Sequence, residues 1–188
     1  KSIFKTITKY HTMVHHISPA RLTIERVGEI IDKKMKLALS EESRARIERC
    51  RRYLDDKIES CSEPVYGITT GFGSLCNISI GKDDLSRLQE NLVKSHSCGC
   101  GELVDPEIVK IMLLTKVMSL SFGNSGVQLS TVQRLVDMFN EDVIPVVYQQ
   151  GSLGASGDLA PLANMCLPLI GLGRVYYKGE VRPSGEVL

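Results

Sequence analysis

Residues 151–163 read Gly-Ser-Leu-Gly-Ala-Ser-Gly-Asp-Leu-Ala-Pro-Leu-Ala, and this is the most informative stretch of the sequence. Three glycines in its first seven positions predict a loop, and Asp158 opens an apolar run that predicts a helix toward Ile170. A phosphate-binding loop would end in Gly-Lys-Ser/Thr, and this stretch has no lysine. A nucleophile elbow would read Gly-x-Ser-x-Gly, and Asp158 stands at its last position. A phosphate- or nucleotide-binding module is therefore only a minor alternative.

The tripeptide Ala155-Ser156-Gly157 points to a different chemistry. In a tight bend the nitrogen of Gly157 can approach the carbonyl carbon of Ala155, and glycine is needed because a side chain would obstruct that approach. Closure and loss of two waters would give a five-membered ring, with Ser156 converted to an exocyclic methylidene. The product is an electrophile, and the N-terminus of the helix near Asp158 would favour negative charge arriving there. For the bare tripeptide, an ordinary glycine-rich helix start remains an equal alternative.

Two further stretches extend the pattern. Residues 66–73 read Tyr-Gly-Ile-Thr-Thr-Gly-Phe-Gly, and residues 88–96 read Leu-Gln-Glu-Asn-Leu-Val-Lys-Ser-His. With residues 151–163 they resemble, in order and spacing, the motifs of the aromatic amino acid ammonia-lyases and aminomutases. The first differs from the family pattern in carrying Thr69 where Asn is usual. The resemblance covers about residues 22–188, and it is closest to the histidine ammonia-lyase form because of Ser95-His96.

The resemblance implies a role for each matching residue. Ala155, Ser156 and Gly157 would form the methylidene-imidazolone prosthetic group autocatalytically, so that no external cofactor is expected. Tyr66 would be the base that removes a proton from the β-carbon of the substrate. Tyrosine has an ordinary pKa of about 10, so a base of this kind needs a positive environment at neutral pH. His96 would contact the ring of the substrate, although a lone Tyr or His is more often a packed or surface residue.

Three other sequence features limit the interpretation. His96-x-Cys98-x-Cys100 invites a metal site, but no second ligand pair follows, and we expect no metal. Gln128 stands where the family often has Arg, and Asn164 stands where histidine lyases often have His. Both substitutions bear on the choice of substrate and leave the electrophile unaffected.

The resemblance implies non-oxidative deamination of L-histidine to urocanate and ammonia. A tyrosine ammonia-lyase or a related aminomutase is the alternative, since His96 suits a phenol as well as an imidazole. A third possibility is a catalytically inactive fragment, because several family site residues lie beyond the equivalent of Leu188. The family also implies a small amino acid substrate and a homotetramer that builds each site from three subunits.

Composition excludes other classes of function. The 188 residues carry a formal net charge of +1, which gives no electrostatic reason to expect nucleic acid or an anionic membrane as partner. No apolar run is long enough to span a bilayer, and the basic start lacks the apolar core of a signal peptide. The six cysteines are scattered rather than arranged as a disulfide scaffold. We therefore expect a cytoplasmic protein.

The pattern of apolar residues predicts a mainly α fold with short β segments. The resemblance makes it the N-terminal part of the aromatic ammonia-lyase fold, an L-aspartase-like helical fold. We expect residues 1–12 to be a disordered or non-native start and residues 13–188 to form one domain, truncated before the rest of the helical bundle. The expected elements are helices over 22–36, from Ser40, over 83–97, 106–122, 130–141 and 158–170, an extended stretch over 143–148 and a hairpin over 175–181.

Overall fold

A computed structural model describes residues 13–60, 63–73, 76–81, 84–155 and 157–188. The predicted start over residues 1–12 lies outside these described residues. The helices are α1 (Ile24–Asp32), α2 (Glu41–Ser60), α3 (Leu85–His96), α4 (Pro106–Ser121), α5 (Leu129–Asn140) and α6 (Ala160–Cys166), with 3₁₀ turns at Leu167–Ile170 and Ser184–Glu186. The strands are β1 (Val14–Ile17), β2 (Lys36–Leu39), β3 (Cys100–Leu103), β4 (Ile144–Pro145), β5 (Tyr148–Gln150), β6 (Arg174–Tyr177) and β7 (Glu180–Pro183). The prediction of a mainly α fold with short β segments is confirmed.

The core forms where α4 packs against α5, with α2, β1 and β4 closing around them. The side chain of Asp105 accepts a hydrogen bond from the Glu107 N–H at 2.8 Å, and Pro106 occupies the first turn of α4, as the sequence predicted. Helix α4 then buries at least one residue in every turn. The fully buried side chains of this core include Ile17, Ile30, Ile47, Val109, Leu113, Leu114, Val117, Val132 and Met165.

The predicted helix over 22–36 is wrong in its last turn, because α1 ends four residues earlier. Lys34 adopts a left-handed backbone with φ +49°, and the Met35 N–H donates to the Ile30 carbonyl at 2.9 Å. This pattern is a Schellman cap, which reverses the chain into the strand Lys36–Leu39. That strand pairs in parallel with β1, a pairing that the sequence did not indicate.

The predicted starts of α2 and α3 have different outcomes. At α2, the Ser40 hydroxyl accepts from the Ser43 N–H at 3.2 Å, so the predicted cap is confirmed. At α3, Asp84 occupies the N-cap position, although its side chain makes no capping hydrogen bond. Asp83, where the predicted helix begins, lies outside the described residues.

The remaining strands form two small antiparallel sheets in the second half of the chain. One pairs β3 with β5, and the other has the order β4-β6-β7. Lys178 and Gly179 connect β6 to β7 with φ values of +51° and +83°, which is the hairpin turn that the sequence predicted. Pro145 lies on the edge strand β4, where its missing N–H is tolerated. The predicted helix over 158–170 is shorter than expected, since α6 ends at Cys166 and continues as a 3₁₀ turn.

Candidate active site

The loop between β5 and α6 is closed by a tight turn. The Gly157 N–H donates to the Gly154 carbonyl at 3.1 Å, and Gly157 has a φ of +84°. A Cβ on Gly157 would meet no atom within 4 Å, so the left-handed backbone, rather than crowding, accounts for glycine here. Ala155 is exposed at the tip of the turn. Ser156, the predicted source of the methylidene carbon, lies outside the described residues.

The carboxylate of Asp158 bridges the two ends of this loop. One of its oxygens accepts the N–H of Ser152 at 2.9 Å and the N–H of Ala160 at 3.0 Å. A Cβ on Gly151 would lie only 2.1 Å from the same oxygen, so a side chain at Gly151 would displace the carboxylate. The sequence assigned Asp158 only to the start of a helix and missed this bridge. The signal was an Asp just before the helix, a position where its side chain commonly accepts local backbone N–H groups.

The loop that carries Tyr66 is organised by threonine side chains. Thr69 Oγ1 accepts the Val65 N–H at 2.9 Å, and the buried Thr70 Oγ1 accepts the Gly67 N–H at 3.2 Å. Thr69 therefore makes a local backbone contact of the kind an asparagine side chain also makes. An antiparallel bridge between Thr70 and Ser79 closes the loop.

Tyr66 itself is 62% exposed. Its ring packs edge-on against Phe72 with centroids 6.0 Å apart, and its hydroxyl oxygen accepts the Gly73 N–H at a long 3.4 Å. These contacts lie within its own loop. They leave the hydroxyl open to solvent and to a ligand, while holding it only weakly.

His96 is the last residue of α3 and is half-buried. Its Nδ1 lies 2.8 Å from the Leu92 carbonyl and 3.3 Å from the Ser95 hydroxyl. Because a carbonyl oxygen can only accept, Nδ1 carries the proton. In the neutral imidazole Nε2 is then an acceptor, so His96 can pair with a ligand group that donates a hydrogen bond.

Two contacts bring the segment after His96 against the loop at residues 151–157. Strand β3 pairs with β5, which enters that loop, with Cys100 opposite Gln150. Helix α3 packs against α6, which leaves the loop. The segment that follows His96 therefore lies against both flanks of the 151–157 loop. The loop that carries Tyr66 borders α3, because Gly67 and Ile68 line a groove together with Gln89 and Val93 of that helix.

That groove has a volume of about 760 Å³ and runs between α2, α3, residues 125–128 and the end of α6. None of the described residues of the 151–157 loop lines it. Burial raises the pKa of the Cys166 thiol at its floor, an effect partly opposed by the charge of Lys116. Cys166 therefore stays a thiol at neutral pH and is a poor nucleophile.

The remaining residues that the sequence singled out lie near the same elements. Gln128 precedes α5 and borders the groove. Asn164 is 5% exposed and donates through Nδ2 to the Ala160 carbonyl at 2.9 Å, inside α6. Cys98 and Cys100 are exposed thiols. The described part of the chain contains no group of three or more His, Cys, Asp or Glu side chains arranged to hold a metal. None of its helices is long and apolar enough to cross a membrane.

The fold and these motifs define a class of protein. The family model described as aromatic amino acid lyase matches residues 22–188, and the chain belongs to this family, as the motifs predicted. The chain forms the N-terminal part of its fold.

Individual relatives narrow the comparison. The histidine ammonia-lyase of Clostridium tetani is 46% identical over 167 residues, which cover 89% of this chain and 32% of that protein. The histidine ammonia-lyase of Streptococcus sanguinis is 42% identical over 177 residues, which cover 94% of this chain and 34% of that protein. The chain therefore spans about a third of the length of the curated relatives it matches.

Solved structures of the family share the backbone. The histidine ammonia-lyase of Trypanosoma cruzi superposes with a TM-score of 0.83 at 34% identity, covering 94% of this chain and 34% of that one. The tyrosine aminomutase of Streptomyces globisporus superposes with a TM-score of 0.83 at 31% identity, covering 92% and 32%. A histidine ammonia-lyase and a tyrosine aminomutase thus share this part of the fold.

Proposed function

We propose that this chain belongs to an enzyme that deaminates L-histidine to urocanate and ammonia. The observation that carries the proposal is the turn at residues 154–157, closed by the Gly157 N–H and bridged at its ends by Asp158. Ala155 and Gly157, the two described residues of the family tripeptide, lie in this turn. The identity of 46% to a histidine ammonia-lyase supports histidine as the substrate.

Ala155, Ser156 and Gly157 fit the methylidene-imidazolone group. The turn already brings the Gly157 nitrogen back toward the preceding residues, and the space around Gly157 is open. Their cyclisation releases two waters and needs no external cofactor. When formed, the group supplies an electrophile that draws electrons from the substrate and so loosens its C–N bond.

Tyr66 acts as the base in this proposal. It removes a proton from the β-carbon, after which a carbon–carbon double bond forms as ammonia leaves. Its exposed hydroxyl is reachable by a substrate, which supports the assignment. A general base of this kind typically contributes about 10² to 10⁴ in rate.

His96 selects the substrate. With Nδ1 donating to the Leu92 carbonyl, Nε2 accepts a hydrogen bond from the ring N–H of histidine. The phenol O–H of tyrosine can donate to the same nitrogen. A tyrosine ammonia-lyase or aminomutase is therefore the second candidate, and the similarity to a tyrosine aminomutase supports it.

We propose further that the complete protein is a cytoplasmic homotetramer acting on a small amino acid, with no nucleic acid or membrane partner. The chain spans about a third of the length of its relatives, and in this proposal the other residues of the site belong to the remaining two thirds. We therefore expect the 188 residues alone to be inactive.

Incubation of the complete protein with histidine, tyrosine and phenylalanine tests the proposal, with products identified by mass spectrometry and NMR. We expect urocanate and ammonia from histidine, and no turnover by the 188-residue chain. Cinnamate as the preferred product would contradict the assignment. Coumarate or a β-amino acid would favour the second candidate. A mass lower by two waters than the sequence predicts would report the ring.

A further inference from the structure

Gly99 lies at the point where the segment after His96 touches both flanks of the 151–157 loop. A Cβ on Gly99 would lie 2.7 Å from Asn164 Nδ2 and 3.0 Å from Tyr148 Cβ. Tyr148 opens β5, which enters the loop, and Asn164 belongs to α6, which leaves it. Gly99 is therefore the residue through which the segment after His96 packs against both sides of the loop.

Close approach, rather than backbone conformation, requires glycine at this position. Gly99 is not among the residues with positive φ, so an alanine could adopt its backbone. Neither neighbour can withdraw easily. The Asn164 amide is buried and donates to the Ala160 carbonyl at 2.9 Å, and Tyr148 Cβ moves only with its own strand. A methyl group at Gly99 would therefore push the two segments apart.

We propose that Gly99 is a positioning residue that sets the distance between His96 and the electrophile. Only two residues separate it from His96, so a displacement at Gly99 moves the imidazole relative to the loop. Asn164 is the complementary partner, since its short buried amide leaves just enough room for a glycine. The expected effect on substrate preference rests on the proposed function. The expected effect on stability rests only on the close approach of Gly99 to Asn164 and Tyr148.

The catalytic test compares Gly99→Ala with Gly28→Ala in the complete protein. Gly28 is the matched control because it lies within α1 and its Cβ would meet nothing within 4 Å. We expect Gly99→Ala to lower the ratio of kcat/KM for histidine over phenylalanine about tenfold. This is less than the loss of rate of about a hundredfold that a misplacement of 1 Å can cause. Gly28→Ala should leave the ratio unchanged. If Gly99 has a purely structural role, kcat/KM falls equally for both substrates. An unchanged ratio in Gly99→Ala would therefore overturn the inference.

A double-mutant cycle measured by thermal unfolding tests the contact between Gly99 and Asn164 independently of activity. We expect Gly99→Ala to lower the Tm, and to lower it less when Asn164→Ala is also present, because the shorter side chain makes room for the methyl group. Additive effects would overturn the inference. If Gly99→Ala does not fold, the double variant is compared with Asn164→Ala for the same substrate ratio. A wild-type protein that deaminates none of the substrates would contradict the proposed function, while the cycle would still decide the contact.

Discussion

The two glycine-rich loops of this chain are stabilised in different ways. The loop at 151–157 has its ends joined by one carboxylate, and its flanks continue into buried core positions at Val147 and Ala160. The loop around Tyr66 is held by threonine hydroxyls at its base, but Tyr66 itself is 62% exposed. The first loop thus has its geometry determined within the chain. The second loop leaves the Tyr66 side chain exposed, so contacts from outside the loop are needed to fix its position.

This difference separates the two tasks of the proposed enzyme. Cyclisation needs a bent backbone, and the described residues supply that bend locally. Placing a tyrosine hydroxyl over a substrate needs contacts on its exposed side, and the weak 3.4 Å bond to Gly73 does not provide them. Substitutions in the first loop should therefore affect formation of the electrophile, and substitutions in the second should affect turnover at constant ring content.

The largest effect should come from Ser156→Ala in the complete protein. In the proposed mechanism Ser156 supplies the methylidene carbon, so we expect the mass deficit of two waters to disappear and deamination to fall by orders of magnitude with the fold intact. Ser152→Ala is the control, since Ser152 contributes only its backbone N–H to the loop. Wild-type turnover by Ser156→Ala would show that the electrophile is not made from this residue.

Tyr66→Phe should have the second largest effect on deamination. We expect the methylidene-imidazolone ring to form in this variant to the same extent as in the wild type. We expect kcat to fall by about 10² to 10⁴, with a smaller change in KM, because the hydroxyl acts mainly in the transition state. Tyr53→Phe, an exposed tyrosine on α2, is the control. Steady-state kinetics together with the intact mass distinguish this variant from Ser156→Ala. An unchanged kcat would remove Tyr66 from the mechanism.

Asp158→Ala tests whether one carboxylate maintains the bend of the first loop. We expect cyclisation to slow by about a hundredfold, the order expected when two hydrogen bonds to a charged acceptor are lost. Both bonds go to the same oxygen, so Asp158→Asn retains an acceptor for them and should cyclise much faster than the alanine variant. The mass deficit followed over time after expression measures this rate. Equal rates for the two variants would mean that the bridge is not what bends the loop.

Sequence patterns predicted the long helices and the hairpin well, because these depend on local periodicity and turn residues. They failed at Lys34, where a lysine rather than a glycine adopts the left-handed cap. Met35 continued the helical spacing from Ile31, yet Met35, Leu37 and Leu39 also alternate with period two and are all buried. Spacing alone could not decide between the two patterns, because the parallel partner β1 is separated from this stretch by the whole of α1.

The sequence proposes residues for the site but does not give their geometry. The motifs identified Tyr66, His96 and the tripeptide, since each belongs to a contiguous sequence pattern. The bridge by Asp158 and the contact of Gly99 with Asn164 arise only from the folded backbone. The same is true of the protonated Nδ1 of His96, which depends on the Leu92 carbonyl one helical turn earlier. Such relations require the helix, the strand and the loop to be placed together.

His96→Leu should have the smallest of these effects, because it changes which substrate is preferred and leaves both loops intact. With Nδ1 bonded to Leu92, Nε2 can accept from the ring N–H of histidine but gains nothing from a phenyl ring. Leaving such a group unpaired costs roughly 1–3 kcal/mol, which corresponds to a factor of about ten to more than a hundred in kcat/KM. We therefore expect His96→Leu to narrow or invert the preference for histidine over phenylalanine, with ring content unchanged and His16→Leu on β1 as the control. Comparison of kcat/KM for histidine, tyrosine and phenylalanine measures this. If the wild type prefers tyrosine, the acceptor role of His96 still holds and the substrate becomes the phenol, whereas a preference of the wild type for phenylalanine would contradict the role of His96 altogether.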